Sequence, residues 1–478
     1  MKKYMLIPAS LFVLASCTKD ISRFNEQTKK PEVVPAEPLF SNAVRNLSDG
    51  LVSSSVNTNV FRFTVQHWAA TTYQDEPQYD FTTRAIPQSW WARMYRDVLK
   101  DLDEAKKIAA ADMTIPDAQR ANKVAITDIM QVYTFTVLVN TFGNVPYTEA
   151  LNSENVFPVY DDASEIYKDL FARLDADLAA IDPSAAAFSE TADFLYKGDV
   201  DQWVKFANSL KIRMALTMAD VTGDLGATAK AAFEAADAKA FSSSLDNALF
   251  PYMATTPNTN PLWTDLVQSG RKDMVACEAL LDILKDMNDP RLSLYFRPNN
   301  EGKYVGGILG SNNTYSTTSK PSEQMIEPDF PGDMLDYVEV EFFRAEAAER
   351  GWAVDGTAAT HYNNAVKASI RYWGGSEADA NAYLARPDVA YATAAGDWKQ
   401  KIGFQKWIAL YNRGFEGWTE VRRLDQPVLN PPVGAVSGFP NRFTYPGNEQ
   451  QLNGTNYRSA ADAIGGDEVE TKLFWDKN

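Results

Sequence analysis

Regularly spaced apolar residues constrain the fold of this chain more than any other feature. Trp91, Tyr95, Val98, Leu102 and Ala105 recur at i, i+4, i+7, i+11 and i+14, so they share one face of a predicted helix. Similar stripes predict further helices at about 39–56, 121–141, 166–178, 203–214, 277–287, 338–352, 358–373 and 399–424, with another near residue 383. The pattern therefore predicts a mostly α protein.

The helices near 338–352 and 358–373 form a pair joined by a short turn, and Gly374 is expected to end the second one. Helix pairs repeated along a chain are typical of tetratricopeptide-like scaffolds, in which neighbouring pairs stack. A general helical bundle is the alternative, because the period is irregular. Residues 57–88 and 223–327 lack helical periodicity, except near 277–287, and are predicted to be mainly loops.

The first residues predict export from the cytoplasm. Lys2 and Lys3 precede an apolar run that fits a secretory signal peptide and is too short to span a bilayer as a helix. The string Leu14-Ala15-Ser16-Cys17 matches the lipobox of bacterial lipoproteins, in which the cysteine thiol is acylated. We expect residues 1–16 to be a signal peptide, 17–38 a lipidated tether carrying palmitate-type chains at Cys17, and 39–478 a single domain. An ordinary signal peptide followed by an incidental cysteine is the alternative.

Charge and motif content disfavour several classes of function. Lys and Arg number 46 against 63 Asp and Glu, which gives a net charge of -17 and makes nucleic acid an unexpected partner. The chain has two histidines, and none of the common nucleophile, zinc or nucleotide motifs occurs in it, so we expect no catalytic residues, no cofactor and no metal site. A glycosidase needs only two suitably spaced carboxylates and stays open, as does a calcium ion held by scattered oxygens.

Eight strings stand out in order along the chain: Phe142–Tyr147, Trp203–Arg213, Asn288–Leu292, Glu339–Ala347, Gln405–Tyr411, Gly417–Arg423, Arg442–Pro446 and Leu473–Asp476. Together they resemble the SusD/RagB family of outer-membrane nutrient-binding lipoproteins. In addition, Thr18-Lys19-Asp20 resembles the short signal that directs Bacteroidetes lipoproteins to the outer face of the outer membrane.

The resemblance implies a tetratricopeptide-like helix-pair scaffold packed against a loop-rich half. It also implies a surface-exposed lipoprotein of the cell outer membrane that binds a nutrient and delivers it to a SusC-type TonB-dependent transporter. The expected ligand is an oligosaccharide, and family members are not enzymes. A peptide ligand is the alternative within the binding class, and a surface glycosidase is the alternative from the enzyme class.

Aromatic residues on loops are the best candidates for a sugar site, because rings stack on the apolar face of a sugar while polar groups bind its hydroxyls. Three segments have this composition: 67–75, 258–271 and 304–315. We expect Trp68, Tyr73, Trp263 and Tyr315 to stack on the ligand and Arg271 to donate to a hydroxyl or carboxylate. Plain structural packing is the alternative for each residue.

Overall fold

Helices dominate the computed structural model of the protein, which describes residues 34–477. We number the α-helices in chain order: α1 Ala36–Val52, α2 Phe61–Thr64, α3 Ile86–Ala92, α4 Lys100–Ala111, α5 Asp117–Phe142, α6 Ala163–Ala180, α7 Val200–Thr217, α8 Asp224–Ala236, α9 Pro261–Trp263, α10 Glu278–Asp286, α11 Arg291–Tyr295, α12 Tyr337–Glu349, α13 Ala358–Tyr372, α14 Glu377–Leu384, α15 Trp398–Ala409, α16 Gly414–Leu424, α17 Gly447–Leu452 and α18 Gly454–Ala463. A π-helical segment, Arg93–Leu99, joins α3 to α4. The prediction of a mostly α fold is confirmed.

Sequence-neighbouring helices pack in pairs, as a tetratricopeptide-like scaffold requires. The pairs α4–α5, α7–α8, α12–α13 and α15–α16 each share extensive contacts. Gly374 follows α13 with a positive φ of 94°, which confirms the predicted helix end. Contacts group the chain from Ala36 onward into one compact unit.

The boundaries differ from the sequence prediction in four places. The first helix begins at Ala36, so the expected tether boundary at residue 38 falls inside α1. Helix α8 lies in a stretch that was expected to be loop-rich. The predicted 399–424 helix is two helices, α15 and α16, and the C-terminal region contains α17 and α18.

The predicted signal peptide and the predicted lipidation site Cys17 lie outside the described residues. Within residues 34–477, none of the helices combines the length and the hydropathy that crossing a bilayer would need.

Buried ion pairs connect several of the strings that resemble the SusD/RagB family. Glu339 in α12 accepts hydrogen bonds from Arg213 of α7 at 2.7 Å and from Arg413 at 2.6 Å. Glu346, two turns further along α12, binds Arg423 of α16. The strings therefore meet in the core, which supports a structural role for them.

In the described part of the chain, six short strands form three antiparallel two-stranded sheets that position the loops. The strands are β1 Trp68–Ala70, β2 Ala248–Phe250, β3 Met274–Ala276, β4 Phe296–Arg297, β5 Lys320–Pro321 and β6 Gly332–Leu335. They pair as β1–β3, β2–β6 and β4–β5. The first and third of these sheets carry the loops from which the candidate site is built.

Candidate functional site

The β1–β3 sheet brings the first predicted segment beside the residues that follow the second. Ala70 stands opposite Met274 in the sheet register. Beyond the strand end, the Thr71 amide donates to the Asp273 carbonyl at 2.9 Å, and the Thr71 hydroxyl donates to the Lys272 carbonyl at 2.8 Å. Residues 71–75 and 271–273 consequently leave the sheet side by side.

Asn313 fixes the third predicted segment to the same sheet end. Its side-chain amide donates to the carbonyls of Ala70 at 2.7 Å and Ile308 at 2.9 Å, and its oxygen accepts from the Ile308 amide at 2.9 Å. The Gly307 amide also donates to the Ala276 carbonyl at 2.7 Å. The first and third predicted segments thus converge with the end of the second, and we call the surface formed by residues 71–75, 271–273 and 304–315 the loop face.

Trp68 requires a correction, because its side chain belongs to the core. It is only 1% exposed, its indole N–H donates to the Tyr411 hydroxyl at 3.1 Å, and the Arg62 guanidinium lies 5.0 Å from its ring centroid. Every residue of β1 is buried. A ring enclosed in this way has no face free for a ligand, so Trp68 acts as a packing residue.

Tyr73 lies on the loop face, with its side chain 57% exposed. Its backbone has a positive φ of 58°, and the Arg84 guanidinium lies 4.9 Å from its ring centroid. Arg84 in turn forms an ion pair with Glu76, which is fully buried. Burial raises the pKa of Glu76 to about 7, although the charge of Arg84 acts in the opposite direction. Glu76 therefore supports the arginine that packs on the Tyr73 ring.

Tyr315 lies on the same face, half-buried, with two ammonium groups near its ring. The Nζ atoms of Lys320 and Lys272 are 4.9 and 5.8 Å from the ring centroid. Arg271 next to Lys272 has a side chain that is 59% exposed, with its nearest carboxylate, Asp273, 4.0 Å away. Arg271 is accordingly free to reach a bound molecule.

Trp263 has a different setting from the other candidates. It ends the short helix α9, which continues as the π-helical turn Thr264–Gln268, and its side chain is half-buried. Helix α9 packs against α1 and the 3-10 turn Gln324–Ile326. Its role in binding stays a prediction, and the loop face is built from other residues.

Several polar residues of the loop face were not singled out from the sequence. Arg84, Lys272 and Lys320 flank the two tyrosines, while Gln74 and Asn312 contact each other through their amides at 3.4 Å. Lys272 could have been found from its position beside Arg271. Lys320 carries no signal in the sequence, because its place depends on the pairing of β4 with β5.

The loop face offers groups for binding a ligand. Two tyrosine rings, one guanidinium and two ammonium groups can stack on a ligand and donate to its oxygens. Glu76, the carboxylic acid with a pKa near neutrality, is enclosed and cannot touch a substrate. Among the described residues, no group of His, Cys, Asp and Glu side chains is arranged to hold a metal ion.

A large surface cavity of about 680 Å³ lies away from the loop face, between α4, α5 and α6, and Arg173, Lys106 and Tyr147 are among the residues that line it. Arg173 pairs with Asp128 at 2.6 Å, and Tyr147 and Lys106 also bind carboxylates. Because these polar groups already have partners, we favour the loop face as the binding surface despite the volume of this cavity.

A helical scaffold whose loops present aromatic rings and hydrogen-bond donors on one surface is typical of ligand-binding proteins. Residues 27–446 match the family SusD-like_2, described as starch-binding and associating with the outer membrane, and the chain belongs to this family. No curated protein sequence matches the chain significantly.

Solved structures share the whole architecture. A chitin-binding protein superposes with a TM-score of 0.80 at 26% identity, covering 93% of this chain and 100% of the other. A chitin-binding SusD homolog from Flavobacterium johnsoniae gives 0.78 at 25% identity, covering 93% and 99%. A SusD homolog from Bacteroides uniformis gives 0.78 at 25% identity, covering 92% and 99%. The chain therefore has the SusD-like fold over nearly all of its length.

Proposed function

We propose that this protein is a surface lipoprotein that binds an oligosaccharide on the loop face and delivers it to a SusC-type TonB-dependent transporter without chemically altering it. The observation that carries the proposal is the convergence of Tyr73, Tyr315 and Arg271 on one face. Family membership and the chitin-binding names of two similar structures support a saccharide ligand.

The binding energy would come from two kinds of contact. Tyrosine rings stack on the apolar face of a sugar, and Arg271 with the amides of Gln74 and Asn312 binds hydroxyls. Such a surface raises the local concentration of nutrient above the transporter, while the chemistry is left to other proteins. Delivery then depends on the lipid anchor at Cys17, which holds the protein at the membrane.

Retention of the protein on polysaccharide affinity gels, chitin and starch first, tests the ligand proposal. Tyr73→Ala should lower retention about ten-fold or more, since stacking and the associated contacts are lost. Phe157→Ala is the matched control, because Phe157 is also 57% exposed but lies in another loop, hydrogen-bonded through its carbonyl to Asn456. Equal retention of both variants and the unchanged protein would contradict the site.

The competing functions give different results in the same preparations. Binding to peptide mixtures but to no glycan would establish a peptide ligand, and release of reducing ends from a glycan would establish a glycosidase. For the anchor, radiolabelled palmitate should be incorporated into the unchanged protein and not into Cys17→Ser. Antibody added to intact cells should reach the unchanged protein, and failure of either result would overturn the surface-lipoprotein proposal.

A further inference from the structure

Lys320 is a buried lysine without an acidic partner. The residue is 4% exposed, and its ammonium donates to the side-chain oxygen of Asn300 at 3.2 Å. Within residues 34–477, no carboxylate oxygen lies within 4.0 Å of this ammonium. An ammonium has three donor hydrogens, so donors remain after the bond to Asn300. Buried charges in proteins are normally paired, which makes this lysine an exception that needs a reason.

The sheet around Lys320 increases the cost of its charge. Lys320 in β5 stands directly opposite Arg297 in β4, and like charges in opposite positions destabilise a sheet. Arg297 forms an ion pair with Glu323 at 2.5 Å, whereas Lys320 has no acidic partner among the described residues. Burial, followed by the charge of Arg297, lowers the pKa of Lys320. A negative charge placed here would relieve both effects.

Lys272 adds a second positive charge near the same ring. It is exposed, its Nζ lies 5.8 Å from the Tyr315 centroid, and among the described residues it too has no carboxylate within 4.0 Å. The two lysines therefore form a local positive cluster at Tyr315, next to the exposed Arg271, on a chain whose net charge is -17. A cluster that contrasts with the rest of the surface selects for negative charge at short range.

We propose that Tyr315, Lys320 and Lys272 form a subsite for the carboxylate of a uronic acid, so that the ligand of the loop face is an acidic oligosaccharide. This inference rests on the proposed function and adds the ligand's charge to it. The sugar ring packs against Tyr315 while the carboxylate accepts hydrogen bonds from the ammonium groups of Lys320 and Lys272. Charge-assisted hydrogen bonds of this kind are shorter and stronger than those to a neutral hydroxyl.

Isothermal titration of the full lipoprotein in non-ionic detergent micelles tests the proposal. The probes are trigalacturonate and a hyaluronan tetrasaccharide, each compared with its methyl ester, which keeps the sugar but removes the charge. At least one acid should bind about ten-fold or more tightly than its ester, as expected for charged hydrogen bonds. A higher salt concentration should weaken binding of the acid and leave binding of the ester nearly unchanged.

Two variants and one control locate the effect. Lys320→Met and Lys272→Met should each weaken binding of the acid about ten-fold and weaken binding of the ester much less, because a charged hydrogen bond is lost only with the acid. Lys303→Met is the control, since Lys303 lies in the neighbouring loop, is 68% exposed and already pairs with Glu301 at 2.9 Å. Melting temperatures verify that Lys320→Met is folded. If it is not, the Lys272→Met variant, changed at an exposed position, tests the subsite alone.

The outcomes separate this inference from the proposed function. Equal affinity for both acids and their esters, or lysine variants that bind the acids normally, would overturn the acidic subsite. If triacetylchitotriose binds while neither acid does, the proposed function stands and the inference fails. If no saccharide in the affinity screen binds, the proposed function fails as well.

Discussion

Arg423 and Glu346 form a two-pronged ion pair in the protein interior. The two guanidinium nitrogens lie 2.5 and 2.6 Å from the two carboxylate oxygens, and both side chains are almost fully enclosed. Arg423 also binds Glu420 at 2.6 Å, and Lys406 binds Glu420 at 2.9 Å. Burial alone would raise the pKa of Glu346, but the charge and hydrogen bonds of Arg423 lower it to about 2. The pair joins α12 to α16.

Replacement of Arg423 by methionine should destabilise the fold strongly. The change leaves Glu346 and Glu420 buried with less compensating charge, and breaking such a pair from one side costs about 3–5 kcal/mol. Arg371→Met is the control, because Arg371 is an exposed arginine whose nitrogen lies 3.6 Å from Glu377, and exposed pairs contribute at most about 1 kcal/mol. Urea unfolding measures both, and similar small losses would contradict the assigned role of the pair.

Trp68→Ala should lower the free energy of unfolding by about 3–5 kcal/mol, as truncation of a large buried aromatic does. Tyr73→Ala, only five residues away, should change it by about 1 kcal/mol or less, because the side chain is on the surface. Trp68→Phe keeps much of the volume but leaves the Tyr411 hydroxyl without its donor, so an intermediate loss is expected. Thermal or urea unfolding measures the stability of each variant. A Trp68→Ala protein as stable as the unchanged one would contradict the packing role and make Trp68 a candidate ligand contact again.

The contrast between Trp68 and Tyr73 illustrates what sequence could and could not reveal. Composition identified a segment that reaches the loop face, since loops mixing aromatic and polar residues are typical of sugar sites. It could not say which aromatic faces inward, because that depends on the pairing of β1 with β3, a strand far along the chain. Helical periodicity, by comparison, is a local signal, and it located most of the scaffold.

Helix α8 was missed for a related reason. Its buried positions follow helical spacing, but besides Leu225 and Phe233 they are the alanines Ala229, Ala232 and Ala236, which count only weakly as apolar. Lys320 was missed because no local pattern distinguishes a buried lysine from a solvated one.

Stability should fall as the pH rises towards 8, owing to Asp177 in α6. Burial first, and then the charge of Asp128, raise the pKa of Asp177 to about 8. An aspartate in the unfolded chain titrates near 3.9. Between these values the folded state holds a proton that is released on unfolding. The free energy of unfolding therefore falls by up to about 1.4 kcal/mol for each unit by which the pH rises.

Asp177→Asn removes this proton and should flatten the dependence of stability on pH between about 4 and 8. Urea unfolding at pH 5 and pH 8 measures the difference for both proteins. An unchanged difference in the variant would show that another group is responsible.

Gly310→Ala should disturb the loop face, whereas Gly302→Ala should not. Both glycines have a positive φ, 79° and 75°, so each alanine carries a similar backbone cost of about 1 kcal/mol. At Gly310 the added methyl group would also overlap the carbonyl oxygen of Val433, while at Gly302 it meets nothing within 4 Å. Ligand retention on the affinity gel should therefore drop for Gly310→Ala alone, and equal behaviour of the two variants would show that the loop tolerates the overlap.

The left-handed backbone of Tyr73 has a consequence for the kinetics of capture. A non-glycine residue persists in that conformation only when its surroundings hold it there, and Arg84 resting on the ring supplies part of that restraint. The ring is thus preorganised before any sugar arrives, and little conformational entropy is lost when one docks. Association with a ligand should then need no slow rearrangement of this ring, which suits the proposed role of binding a ligand and passing it on.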